Sequence, residues 1–155
     1  MTDLSDLLKP EAVLSGTVAG SKKKLFATLA DMAAQAYGLD AAQVNERLSA
    51  REKLGSTGFG GGIAIPHGRI AGLPQVLGLF VRLDKPLDFT AVDDSPVDLV
   101  FALLSPPDAG ADHLKALARV SRRLRDRSFT AKLRGAGSPD ALYVLLTGVE
   151  TRDAA

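Results

Sequence analysis

Cysteine is absent from the 155 residues. Disulfides, thiol nucleophiles and thiolate metal sites are therefore excluded, and the chain suits a reducing compartment. Histidine is almost as scarce: only His67 and His113 occur, so imidazole chemistry has two candidates. No run of about 18 apolar residues is present, which predicts no membrane insertion. The acidic start, Met1-Thr-Asp-Leu-Ser-Asp6, lacks a basic segment before an apolar run, so it does not read as a signal peptide. A cytoplasmic protein is expected. Excess charge is lacking too. Nineteen Lys and Arg face eighteen Asp and Glu, a formal net charge of +1, and this calls for no nucleic acid and no anionic surface as partner. The local basic run holding Arg119, Arg122, Arg123 and Arg125 reads as the solvated face of a helix.

What the chain does have is apolar substance, at 46% of residues, enough for one domain with a sizeable core. The expected organisation is a single domain over residues 1–150 with a frayed tail at 151–155. Ser21 is a good N-cap for a helix whose Leu25, Phe26, Leu29, Ala33 and Ala36 share a face, with Gly38 as its C-cap. Asp40 and Gln43 resemble a capping box for a second helix, with Val44, Leu48 and Leu54 as apolar positions, ended by Gly55. Ser56–Gly62 reads as a flexible loop leading into a short Ile63-Ala-Ile65 strand that Pro66 stops. Val76–Val81 and Val97–Leu104 read as strands. Asp84-Lys-Pro86 is a turn signal ahead of a separate short strand at Leu87–Phe89. A helix starts near Asp112, with Leu114, Leu117, Val120, Ser121 and Leu124 on its buried side. Ser128 caps a short helix, and Ser138-Pro139 opens a last one. Helices before and after central strands predict an α/β fold, a three-layer α/β/α sandwich with a small mixed sheet. Val97–Leu104, apolar at most positions, is expected to be covered on both faces.

Both histidines sit where ligands gather in such folds, past the ends of strands. His67 follows a glycine-rich loop and a proline that fixes the backbone before it, and Gly68 removes bulk after it. Gly60, Gly61 and Gly62 offer unshielded amides for an anion. Gly55 and Gly60 have the glycine spacing of a P-loop, but Gly61-Gly62 stand where Lys and Ser or Thr are needed, so nucleotide binding is set aside. A metal hydrolase using the two histidines with Asp108 or Asp112 is a further alternative, but no His or Glu pair shows ligand spacing, and no metal is assigned.

The string Arg51-Glu-Lys-Leu-Gly-Ser-Thr-Gly-Phe-Gly-Gly-Gly-Ile-Ala-Ile-Pro-His67-Gly68 resembles the phosphorylation motif of the fructose/mannitol-type enzyme IIA superfamily of the bacterial phosphotransferase system. Within it, the string is most similar to the nitrogen-regulatory branch. Asp112-His113-Leu-Lys-Ala-Leu-Ala118 resembles that family's second histidine at a helix start. The resemblance implies a mixed sheet flanked by helices and a phosphoryl group carried on His67. It also implies a histidine-containing phosphocarrier protein as donor, and partner proteins regulated by phosphorylation state; no cofactor is implied. The runner-up is a sugar-specific enzyme IIA serving a separate enzyme IIB, and a third reading is an interaction module that has lost transfer. For transfer, one ring nitrogen of His67 must offer a lone pair while the other donates its proton, for instance to a backbone carbonyl. Arg51 suits phosphoryl oxygens through its planar fork. Ser56, Thr57 and the Gly60–Gly62 amides are candidate neutral donors, and His113 is expected to assist rather than accept. Phe59, Ile63 and Leu73 supply either an apolar docking rim or core.

Overall fold

The computed structural model describes residues 4–148. The expected frayed tail at 151–155 and the first residues of the acidic start lie outside that range. In chain order a single 3-10 turn (Pro10–Ala12) leads into β1 (Val13–Thr17), α1 (Lys22–Tyr37), α2 (Ala41–Lys53), β2 (Gly58–Gly60), β3 (Ile63–Ala64), β4 (His67–Arg69), β5 (Leu77–Leu87), β6 (Val97–Ser105), α3 (Ala111–Arg125), α4 (Arg127–Gly135) and α5 (Pro139–Thr147).

Six strands form one mixed sheet in the order β1-β5-β6-β3-β2, with β4 also pairing β6. Strand β6 is the hub. It runs antiparallel to β5 and parallel to both β3 and β4, which follow one another along its other edge. Eight of its nine residues are buried, from Val97 to Ser105, as expected for a strand covered on both faces. Phe80 of β5 meets Phe101 of β6 edge-to-face with centroids 6.2 Å apart, and the apolar core is one continuous cluster around this pair.

Local chemistry explains the helix ends. Ser21 Oγ accepts from Lys24 N–H, and Gly38 closes α1 at φ +70. Ser138 Oγ accepts from Ala141 N–H with Pro139 in the first turn of α5. Asp40 caps α2 through Ala42 N–H, two residues on rather than three, and Leu54, read as an inward position, is 84% exposed just past the helix end. The cap of α4 is Asp126, whose carboxylate accepts from Ser128 and Phe129 N–H, so Ser128 is inside the helix and not its cap.

Three further expectations need correction. The Ser56–Gly62 stretch contains β2, which folds back antiparallel on β3 as a glycine-tipped hairpin. Strand β5 runs through Asp84-Lys-Pro86 to Leu87 without a turn; its register on β6 breaks between Arg82 and Leu87, and Pro86, which has no N–H to donate, lies in that unpaired stretch. On α3 the buried stripe is His113, Ala116, Val120 and Leu124, while Leu114 is 65% exposed. The stripe therefore starts one residue earlier than a reading from leucines gives, and it buries a histidine. The apolar rim candidates Ile63 and Leu73 are buried in the core, and Phe59 packs partly buried against it.

Candidate functional site

The end of β6 gathers the site. His67 begins β4 opposite Leu103, and Leu103 N–H donates to the Pro66 carbonyl at 2.9 Å, so the residue before the histidine is tied to the hub strand. His113 comes from the first turn of α3. The two rings are 5.4 Å apart, centre to centre. Arg51 reaches in from the last turn of α2. A Cβ on Gly68 would stand 3.2 Å from the Arg47 Cβ and 3.3 Å from its carbonyl carbon, so glycine there lets α2 lie close against β4. That approach brings arginine and imidazole together.

The orientation of His67 is settled by its partners. Nδ1 lies 2.9 Å from the Ile65 carbonyl oxygen, which only accepts, so Nδ1 carries the proton. Nε2 is then a bare lone pair, and Arg51 Nε–H donates to it at 3.2 Å. Arg51 is steadied by a second bond, from Nη1 to the Gly55 carbonyl at 3.0 Å. Buried Glu52, the next residue on α2, accepts from Thr57 N–H and from Thr57 Oγ1–H at 2.6 Å and pairs with Lys22 at 2.7 Å, which fixes the turn carrying Gly55.

These side chains line a cleft of about 350 Å³ made by Arg47, Ala50, Arg51, Leu54, His67, Gly68, Arg69 and His113. The lining has three guanidinium groups and no carboxylate. Such a cleft attracts an anion and repels a metal cation. Arg69 is held by the Pro106 and Pro107 carbonyls at 3.4 and 3.2 Å.

Both imidazoles are pushed toward the neutral form. For His67 burial is the largest cause; the bond to the Ile65 carbonyl opposes it, Arg51 adds to the lowering, the Glu52 carboxylate opposes it, and Arg69, the weakest, adds to it. For His113 burial leads, with Arg69 and His67 adding to it. Each folded pKa thus lies below the ordinary 6.5. As pH falls, the unfolded chain takes up these protons first. The stability from the neutral rings is therefore complete above about pH 6.5 and is lost as pH falls from there through the folded pKa values. A ring-proton NMR titration should give midpoints below 6.5 for both residues, with the melting temperature declining across the same window. A midpoint at or above 6.5 for His67 would contradict the desolvated environment.

Other expected phosphate ligands are placed differently. Gly62 lies at the level of Asp98 on β6, where its carbonyl accepts from Asp98 N–H, whereas His67 lies opposite Leu103. Five residues of strand separate the two, about 16 Å. Gly60, Gly61 and Gly62 form the hairpin tip at the far end of the sheet, and Gly61 N–H is bonded to the Asp93 carboxylate. Ser56 Oγ–H donates to the Phe89 carbonyl and Thr57 Oγ1–H to Glu52. The structure thus unites Arg51, His67 and His113 and leaves these five residues with structural bonds. It adds Arg47 and Arg69. Arg47 is one turn before Arg51, and Arg69 shares a strand face with His67 at i+2, so both had a readable spacing.

Residues 6–148 match the family model described as "Phosphoenolpyruvate-dependent sugar phosphotransferase system, EIIA 2". The chain belongs to this EIIA 2 family. A "Nitrogen regulatory protein" of Bradyrhizobium diazoefficiens is 50% identical over 143 residues, 92% of this chain and 94% of that protein. A "PTS system fructose-specific EIIA component" of Haloferax volcanii is 32% identical over 155 residues, 96% and 97% of the two chains. The crystal structure of nitrogen regulatory protein IIA-Ntr from Neisseria meningitidis superposes with a TM-score of 0.87 at 38% identity, covering 93% of this chain and 99% of that one. The family resemblance drawn from the Arg51–Gly68 string and the expected α/β fold both hold. Among the described residues, no helix of this EIIA 2 protein is long and apolar enough to cross a membrane.

Proposed function

We propose that this protein is a cytoplasmic phosphocarrier that takes a phosphoryl group on His67 Nε2 from a histidine-containing phosphocarrier protein, and that its two forms regulate different partner proteins. One observation carries the reading: a neutral imidazole whose proton is tied to the Ile65 carbonyl presents its lone pair into an arginine-lined cleft free of carboxylates.

The chemistry follows from that geometry. Arg51 Nε–H moves off Nε2 as the phosphorylated donor enters. The His67 lone pair attacks phosphorus, the P–N bond to the donor ring breaks, and its electron pair returns to the donor's nitrogen. The Nδ1 proton stays in place. It lets the Ile65 carbonyl stabilise the positive charge that builds on the ring as the P–Nε2 bond forms. Charge on the transferring oxygens is met by Arg51, with Arg47 and Arg69 supplying field from the cleft wall.

The regulatory output is favoured over sugar transport by the relatives. Identity is 50% to a nitrogen regulatory protein and 32% to a fructose-specific component over comparable lengths. Incubation with phosphoenolpyruvate and the upstream carriers should add one phosphoryl group, labile in acid and stable in alkali, and mass mapping should place it on His67. A label at another residue, or none with an active donor, contradicts the proposal.

A further inference from the structure

Ser105 ends β6, opposite Arg69, and is fully buried. Its carbonyl accepts from Ile70 N–H at 2.8 Å, which fixes the residue beneath the first turn of α3. Its Oγ lies 2.6 Å from His113 Nδ1, and among the described residues that nitrogen is the hydroxyl's one hydrogen-bonding partner. His113 Nε2, on the other side of the ring, has no protein partner among them, and His113 lines the cleft.

Hydrogen-bond accounting decides the tautomer. A neutral imidazole has one donor and one acceptor, and a serine hydroxyl serves as either. With the proton on Nδ1, His113 would donate to Ser105 Oγ, and the hydroxyl's own proton would be buried with no acceptor, an arrangement folded proteins avoid. With Nδ1 bare, the Ser105 hydroxyl donates to it and both groups are satisfied. The proton of His113 then sits on Nε2, at the cleft.

We infer that Ser105 is a positioning residue, whose hydroxyl locks His113 as the Nε2–H tautomer and so makes it a hydrogen-bond donor to a phosphoryl oxygen on His67. The inference rests on the phosphocarrier reading for that last step. The two histidines then have opposite tautomers with their rings 5.4 Å apart. His67 shows the cleft a lone pair, and His113 shows it an N–H. This division explains why one ring accepts and the other assists: at its cleft-facing nitrogen His113 has no lone pair with which to attack phosphorus. The bare nitrogen is the one occupied by Ser105.

The tautomer is measured directly in the unphosphorylated protein by long-range proton–nitrogen correlation of 15N-histidine-labelled protein near pH 8. His67 should show the Nδ1–H pattern and His113 the Nε2–H pattern. An Nδ1–H pattern or a tautomer mixture at wild-type His113 overturns the inference. Kinetics supply the second arm, through single-turnover transfer from the phosphorylated donor. Ser105→Ala should slow transfer roughly two- to tenfold, the effect of one neutral hydrogen bond. Ser105→Thr, which keeps the hydroxyl, should recover most of the rate. The double variant Ser105→Ala, His113→Ala should be no slower than His113→Ala alone. Additive losses in the double variant, or wild-type transfer by Ser105→Ala, would show that Ser105 does not act through His113. Should wild-type protein take no label on His67, the phosphocarrier reading falls and the donor role of His113 with it, while the tautomer measurement still decides the Ser105 lock.

Discussion

A His67→Ala protein incubated with phosphoenolpyruvate and its upstream carriers should take up no phosphoryl group, while the wild-type chain takes one. Among the two histidines, only His67 combines a bare cleft-facing nitrogen with a proton anchored elsewhere. His113 is not placed to substitute, since its Nδ1 is held by Ser105 in the buried interior. The fold should survive the change, because removing the ring deletes only two hydrogen bonds, to the Ile65 carbonyl and from Arg51 at the cleft, each worth about 0.5–1.5 kcal/mol. The checks are label incorporation and a melting curve on the same preparation. Residual labelling at wild-type stoichiometry would move the acceptor to another residue, and a protein that does not melt cooperatively would make the loss of label uninformative about chemistry; His67→Gln, which keeps bulk and polarity without the nucleophile, is then the variant to compare.

Arg51→Ala should reduce the single-turnover transfer rate ten- to a hundredfold, leaving the label on His67. The guanidinium touches His67 Nε2 in the unphosphorylated protein, at the place where the phosphorus must bond. It therefore has to exchange that contact for the phosphoryl oxygens, and a charge-assisted bond to them is worth about 1.5–3 kcal/mol at the transition state. Arg51→Lys keeps the charge but not the fork, so a partial rate is expected. Folding should change little, since both Arg51 bonds are made at the cleft surface, one of them to the nearby Gly55 carbonyl. Wild-type transfer by Arg51→Ala would remove Arg51 from the chemistry. A large fall in melting temperature would make its role structural.

The contrast between what could be read from the residues and what could not is itself physical. The helix caps at Ser21 and Ser138 and the buried strand Val97–Leu104 were legible because short-range hydrogen bonding and apolar runs determine them. The oriented imidazole proposed as acceptor was legible as a candidate because Pro66, His67 and Gly68 are consecutive. The glycines misled. Gly60 to Gly62 are bare amides next to the motif in sequence, but the hairpin turns them to the opposite end of the sheet, and only the β3–β6 register reveals that distance. On α3, leucines drew the buried stripe one residue off, because polarity scales count histidine as a surface residue. Ser105 had no sequence signal at all. It is one small residue at the end of an apolar strand, and its meaning comes from a helix that begins several residues later.

Strand β6 holds nearly every part of the site: it pairs the strand bearing His67, bonds the Pro66 carbonyl, and through Ser105 grips His113. A centre built into the most deeply buried strand has little freedom to answer phosphorylation by changing shape. On the proposed function, what changes is the strength of the cleft's positive potential, because about two negative charges arrive and offset most of the charge of three arginines. Partners on this account read the state of the protein as potential and not as conformation. Their discrimination between the two forms should weaken as salt is raised, and it should need no refolding of the messenger.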